Sequence, residues 1–96
     1  FRDRVRGEGL HPWGVAEVHR AGLADVLDAA GAHPLPLWAS YEDRRPEEPF
    51  HWGDVSIDGL PEMGVHHPRL QDAAIAAASA AGAVVMRPAK ASNFRV

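Results

Sequence analysis

The chain has 96 residues and a mass of 10.4 kDa, which is room for one small domain or a piece of a larger one and too little for two. Ten Lys and Arg against thirteen Asp and Glu leave a formal charge of −3 and a pI near 6.0, arguing against a nucleic-acid module, whose footprint is strongly basic. Cysteine is absent, so disulfides, a thiolate nucleophile and a Cys-ligated zinc or iron–sulfur centre are excluded.

No apolar run approaches the roughly 18 residues that span a bilayer, and no signal-peptide core opens the chain. The expectation is a soluble, cytoplasmic protein with no membrane partner. Phe1 stands in the charged stretch Phe1-Arg2-Asp3-Arg4-Val5-Arg6 without an initiator Met, so the N-terminus is expected to have been cut from a longer protein. Hydrophobic residues make up 46%, but seven of the nine residues from Ala73 to Ala81 are Ala, and each buries little apolar area. The core is expected to rest on few large side chains.

In chain order, residues 1–11 mix Arg, Gly and Glu without periodicity and read as a loop. Pro12 suits a first helical turn, and Val15, Val18, Leu23, Val26 and Leu27 recur at helical spacing, which predicts a helix over 12–30. Gly22 lies midway and could divide it into two. Gly31 is a natural residue just past a helix end, with Pro34 as a stop. Leu35 to Tyr41 alternates as a strand does, residues 42–49 are charged and broken by Pro46 and Pro49, and Phe50 to Ile57 can return as a second strand, giving a long-looped hairpin over 35–57. Gly59, Pro61 and Gly64 read as a connection. Pro68 opens a second helix, 68–81, closed by Gly82, and the apolar run Ala83-Val84-Val85-Met86 reads as a buried parallel strand over 83–86. The order helix, strand, strand, helix, strand is mixed α/β, and its last helix–Gly–strand unit is half of a βαβ crossover lacking an upstream partner strand.

Two stretches resemble a known family. Arg4-Val5-Arg6-Gly7-Glu8-Gly9-Leu10-His11-Pro12-Trp13-Gly14-Val15-Ala16-Glu17, with the helix end Leu23–Gly31, looks like the segment after the second strand of the FAD domain in FAD-dependent monooxygenases of the para-hydroxybenzoate hydroxylase type. Val65-His66-His67-Pro68-Arg69-Leu70-Gln71-Asp72-Ala73-Ala74 through Ala81-Gly82-Ala83 is similar to a later helix and strand of that family. The resemblance is diffuse but covers most of the chain. It implies a fragment of a Rossmann-like FAD-binding domain with an inserted β-hairpin, inactive alone, from a flavin-dependent oxidoreductase that uses NAD(P)H and a small-molecule substrate. The family's G-x-G-x-x-G turn, which holds the FAD pyrophosphate, and the acidic residue ending its second strand are both missing from this chain. Gly53-Asp54 and Asp58-Gly59 only superficially echo later family motifs, since turn chemistry accounts for them.

Carried over by position, Arg6 matches the family's Arg near the flavin or its phosphates, with Arg4 as a competing assignment; forked guanidinium donors suit a pyrophosphate. Alternatively Arg2, Arg4 and Arg6 form a solvated arm paired with Asp3 and Glu8. His67 matches a position where the family more often has Arg or Gln, contacting the FAD ribityl or phosphate region. An imidazole changes charge within the physiological pH range, so cofactor affinity would gain a pH dependence that Arg does not confer. His66-His67-Pro68 can equally be a helix entry with two exposed rings. Ala74 departs from the family's Leu.

No H-E-x-x-H or comparable metal spacing occurs, and no Ser lies in a G-x-S-x-G elbow, so neither a metal site nor hydrolase chemistry is expected. Trp13, Trp38 and Trp52 read as packing residues, although Trp38 and Trp52 on opposed strands could line a substrate-facing hairpin. The competing functional reading is an intact small α+β ligand- or protein-binding module without catalysis.

Overall fold

The computed structural model describes residues 8–90 and 92. Its regular elements are β1 (Gly9–Leu10), α1 (Pro12–Arg20), α2 (Ala24–Ala29), β2 (His33–Leu35), β3 (Leu37–Trp38), β4 (Tyr41–Glu42), β5 (Arg45–Pro46), β6 (Phe50–His51), α3 (Trp52–Val55), a 3-10 turn (Ile57–Gly59), β7 (Glu62–Gly64) and α4 (His67–Ala80). The chain is therefore mixed α/β, with small antiparallel sheets.

Three helices end in the same way. The residue after the C-cap is Gly22 in α1, Gly31 in α2 and Gly82 in α4, with φ of 69°, 71° and 94°. In each, the next N–H reaches back to close a Schellman motif: Leu23 to the Val18 carbonyl, Ala32 to Leu27 and Ala83 to Ala78, all at 3.0 Å. Gly22 thus divides the expected helix 12–30 into α1 and α2, and α4 matches the helix expected over 68–81 to within a residue at each end.

The sheet that organises the molecule is antiparallel, with strand order β1-β7-β2. Gly9 pairs with Gly64 and Leu10 with Met63 on one side of β7; His33, Pro34 and Leu35 pair with Gly64, Met63 and Glu62 on the other. Pro34 is tolerated because β2 is an edge strand and needs no donor on its free side. This is where the sequence expectation fails most. Residues 59–64 read as a connection, yet Glu62–Gly64 is the central strand, because two segments remote in sequence supply its ladder. The expected loop 1–11 likewise contains β1, made a strand by the same pairing.

The expected hairpin over 35–57 forms, in shortened and nested form. Leu37 and Trp38 pair with His51 and Phe50, and Tyr41 and Glu42 pair with Pro46 and Arg45, the register shifting by one residue between the two ladders. Asp43 and Arg44 close the tip with φ of 48° and 66°, the positive-φ pair of a two-residue hairpin turn. The second strand stops at His51 instead of reaching Ile57. The Trp52 N–H makes the last ladder bond, to the Pro36 carbonyl at 2.8 Å, and Ser56 N–H then bonds back to the Trp52 carbonyl, turning the chain into α3. Gly53 and Asp54 are poor strand formers, which favours that turn. The run 83–86 is not a strand: Val84 and Met86 are exposed, because no described strand lies beside it to complete a ladder.

The core is small. Val15 and Ala16 of α1, Leu27 and Ala30 of α2, and Val65 after β7 are buried. It rests on compact side chains, not the few large ones expected, while Trp13, Trp38 and Phe50 remain partly exposed. Helix α1 packs against β7, and α2 packs against α4. Among the described residues no helix is long and apolar enough to cross a membrane.

Candidate functional site

The junction between β7 and α4 brings several polar side chains together. Val65 N–H donates to the Glu8 carbonyl at 2.7 Å, extending the β1–β7 pairing and bringing the chain just before β1 against the chain just before α4. His66 precedes α4 in extended conformation (φ −81°, ψ 107°) and no side chain caps the helix start. The Leu70 N–H is the first to reach back into the helix, to the His66 carbonyl at 3.0 Å. Before it in the helix only His67 and Arg69 carry an N–H, Pro68 having none, and the N-cap side chain accepts from neither.

His67 is the first residue of α4 and half-buried. Its Nε2 lies 2.5 Å from the Gln71 amide nitrogen one turn later, so the amide donates and the ring accepts. Gln71 Oε1 is buried with no hydrogen-bond partner among the described residues. Arg4 and Arg6 lie outside the described residues. Gly53-Asp54 and Asp58-Gly59 serve as turns: Asp58 and Gly59 both have positive φ, and the backbones of Gly53 and Gly59 close on each other across α3 and the 3-10 turn.

Beside this junction lies a cavity of about 430 Å³, bounded by the end of α2, by β2, by the end of β7 and by the start of α4. Glu8, His33, His66 and Arg69 supply its polar wall, and Gly31, an exposed residue, leaves backbone bare within it. The His33 ring covers Gly64 so closely that a Cβ there would stand 2.7 Å from Nε2. The Arg69 guanidinium reaches toward Gly31, with Nη1 3.8 Å from where a Cβ would be. Glu8 Oε1 is buried and unpartnered among the described residues. Sequence reasoning did not single out Arg69 or His33, and it used Glu8 only as an ion-pair partner; their convergence depends on the β1-β7-β2 order.

Just after β1, His11 is the centre of an aromatic group. It stacks on Trp13 with centroids 4.5 Å apart and lies 5.8 Å from Trp52. Trp38 and Trp52 meet edge to face at 5.9 Å, so the two residues expected on opposed strands do come together. Trp52, however, opens α3 instead of lying in a strand. Among the described residues no three His, Asp or Glu side chains converge as a metal-binding set.

Known protein families, curated proteins and solved structures give no match to this chain.

Proposed function

We propose that the chain is part of the FAD domain of a cytoplasmic, flavin-dependent monooxygenase of the para-hydroxybenzoate hydroxylase type, and that it contributes one wall of a flavin cleft without being active alone. The observation that carries this reading is the bond from Val65 N–H to the Glu8 carbonyl. It brings together the two stretches that bear the resemblance: Glu8 lies two residues after Arg6, and Val65 two residues before His67. Two features of the described residues support a fit to the cofactor. The uncapped start of a 14-residue helix is suited to a phosphate oxygen, and the buried Oε1 of Gln71, which has no hydrogen-bond partner among the described residues, could accept from a ribityl hydroxyl beside His67. Bound FAD would supply oxygen activation, after reduction by NAD(P)H, toward a small-molecule substrate. His67 and Gln71 would orient the cofactor, with Arg6 or Arg4 balancing its negative charge.

The experiment is to extend the reading frame upstream and purify the longer protein. The expected result is a strand and G-x-G-x-x-G turn within about 40 residues of Phe1, a yellow protein, and weaker FAD retention in His67→Ala. A start codon directly before Phe1 and a colourless product that does not take up FAD would overturn the reading. Those results would favour the non-catalytic binding module, which the exposed Trp13, Val55 and Ile57 support as a contact patch.

A further inference from the structure

We propose that the cavity between α2, β2 and α4 binds a small phosphorylated polyol, with the phosphate on Arg69 and the hydroxyls on Glu8. The proposal shares the start of α4 with the flavin reading but not His67, which is not part of the cavity wall, and the two are tested by different experiments.

Three observations converge. First, Glu8 and Arg69 line the same cavity without forming an ion pair with each other, and among the described residues neither side chain has another charged partner. Opposite charges that share a cleft but stay apart are suited to a ligand that spans them. Second, Glu8 borders the cavity and its Oε1 is buried with no hydrogen-bond partner among the described residues. A buried acceptor left unsatisfied costs free energy, and a ligand hydroxyl that donates to it recovers that cost. Third, the donors are concentrated at the opposite end. The forked guanidinium of Arg69, the rings of His66 and His33 and the uncapped start of α4 offer more hydrogen-bond donors than a single carboxylate can accept. A phosphate, with three free oxygens, matches them better. Gly31 leaves backbone exposed along the wall, and the volume of about 430 Å³ falls in the range of small-molecule sites.

The simplest structural role for Arg69 is to place its cation at the C-terminal end of α2, where helix carbonyls favour it. That role predicts a loss of stability in variants but no ligand response, so binding separates the two.

The test is a ¹H–¹⁵N NMR titration of the 96-residue chain with ribose 5-phosphate, and in separate arms with ribose and with inorganic phosphate. Saturable shifts of the Gly31, Gly64 and Val65 amides are expected, with ribose 5-phosphate binding about tenfold or more tightly than either fragment. Arg69→Gln should weaken both phosphate-bearing probes by about tenfold. Glu8→Gln should reduce ribose 5-phosphate to the level of inorganic phosphate while leaving inorganic phosphate bound. Peak dispersion reports whether each variant is folded, and Arg69→Lys, which keeps the charge and loses the fork, should fall between the parent and Arg69→Gln. The proposal is overturned if the parent shows no saturable shifts at those amides, if Arg69→Gln binds as the parent does, or if inorganic phosphate binds as tightly as ribose 5-phosphate. Failure here leaves the flavin reading untouched, since that is decided by the colour of the longer protein.

Discussion

His11 Nδ1 lies 3.0 Å from Glu62 Oε2, joining residues 51 positions apart. The bond ties the residue before α1 to the central strand β7. Glu62 is the one charged residue among the described residues that is buried, at 7% exposure, and a carboxylate so placed needs a partner. Its other oxygen lies against Gly9, where any Cβ would collide with it, so the carboxylate occupies space that a side chain on β1 would otherwise fill.

Removing His11 should therefore cost more than its partial exposure implies. His11→Ala leaves the Glu62 carboxylate buried and unpaired, at about 1–3 kcal/mol, whereas Glu62→Gln keeps an acceptor for the imidazole and should cost less. Urea unfolding of the two variants checks the order. Equal midpoints for His11→Ala and the parent would show that the bond does not hold α1 to the sheet.

The turn between α1 and α2 isolates a backbone effect. A Cβ at Gly22 would meet nothing within 4 Å, yet its φ is +69°. Gly22→Ala should then destabilise by about 1 kcal/mol through left-handed strain alone, and Gly22→Asn by less, since Asn tolerates that region. Thermal melts of the pair measure the difference; a melting temperature in Gly22→Ala equal to the parent's would argue against a Schellman end at this position.

At the hairpin tip, Asp43 and Arg44 both hold positive φ, a region that Asp tolerates and Arg disfavours. Combining Asp43→Asn with Arg44→Gly should stabilise the hairpin by roughly 0.5–1 kcal/mol. The edge-to-face pair Trp38–Trp52, 5.9 Å apart at 70°, provides the readout. Circular dichroism should show an exciton couplet that persists to higher temperature in this double variant and disappears in Trp38→Phe. A couplet that melts at the same temperature in the double variant and the parent would show that the tip does not limit the hairpin.

Leu27 and Val84 test where the core ends. Leu27 is 4% exposed and Val84 88%. Leu27→Ala should cost about 2–5 kcal/mol, and Val84→Ser should stay within about 0.5 kcal/mol of the parent. A large loss in Val84→Ser, read by chemical unfolding of the 96-residue chain, would show that the run 83–86 is packed as a strand after all.

The residues themselves determined where the helices end and where the hairpin turns. Gly22, Gly31 and Gly82 each close a helix through bonds that span only six residues, and the charged stretch 42–49 turns back on itself over a two-residue tip; such features need no distant partner to be recognised. The tertiary structure decided what depends on pairing across the chain. Glu62–Gly64 is a strand only because Gly9–Leu10 and His33–Leu35 flank it, and Ala83–Met86, with stronger strand character, is not one because no described strand lies beside it. The same pairing sets Glu8 against Val65, buries Glu62 beneath His11 and gathers Glu8, His33, His66 and Arg69 around one cavity. None of these residues bears a local mark of its partner, since a ladder hydrogen bond joins backbones irrespective of their distance in sequence and its geometry is fixed only when both strands are in place.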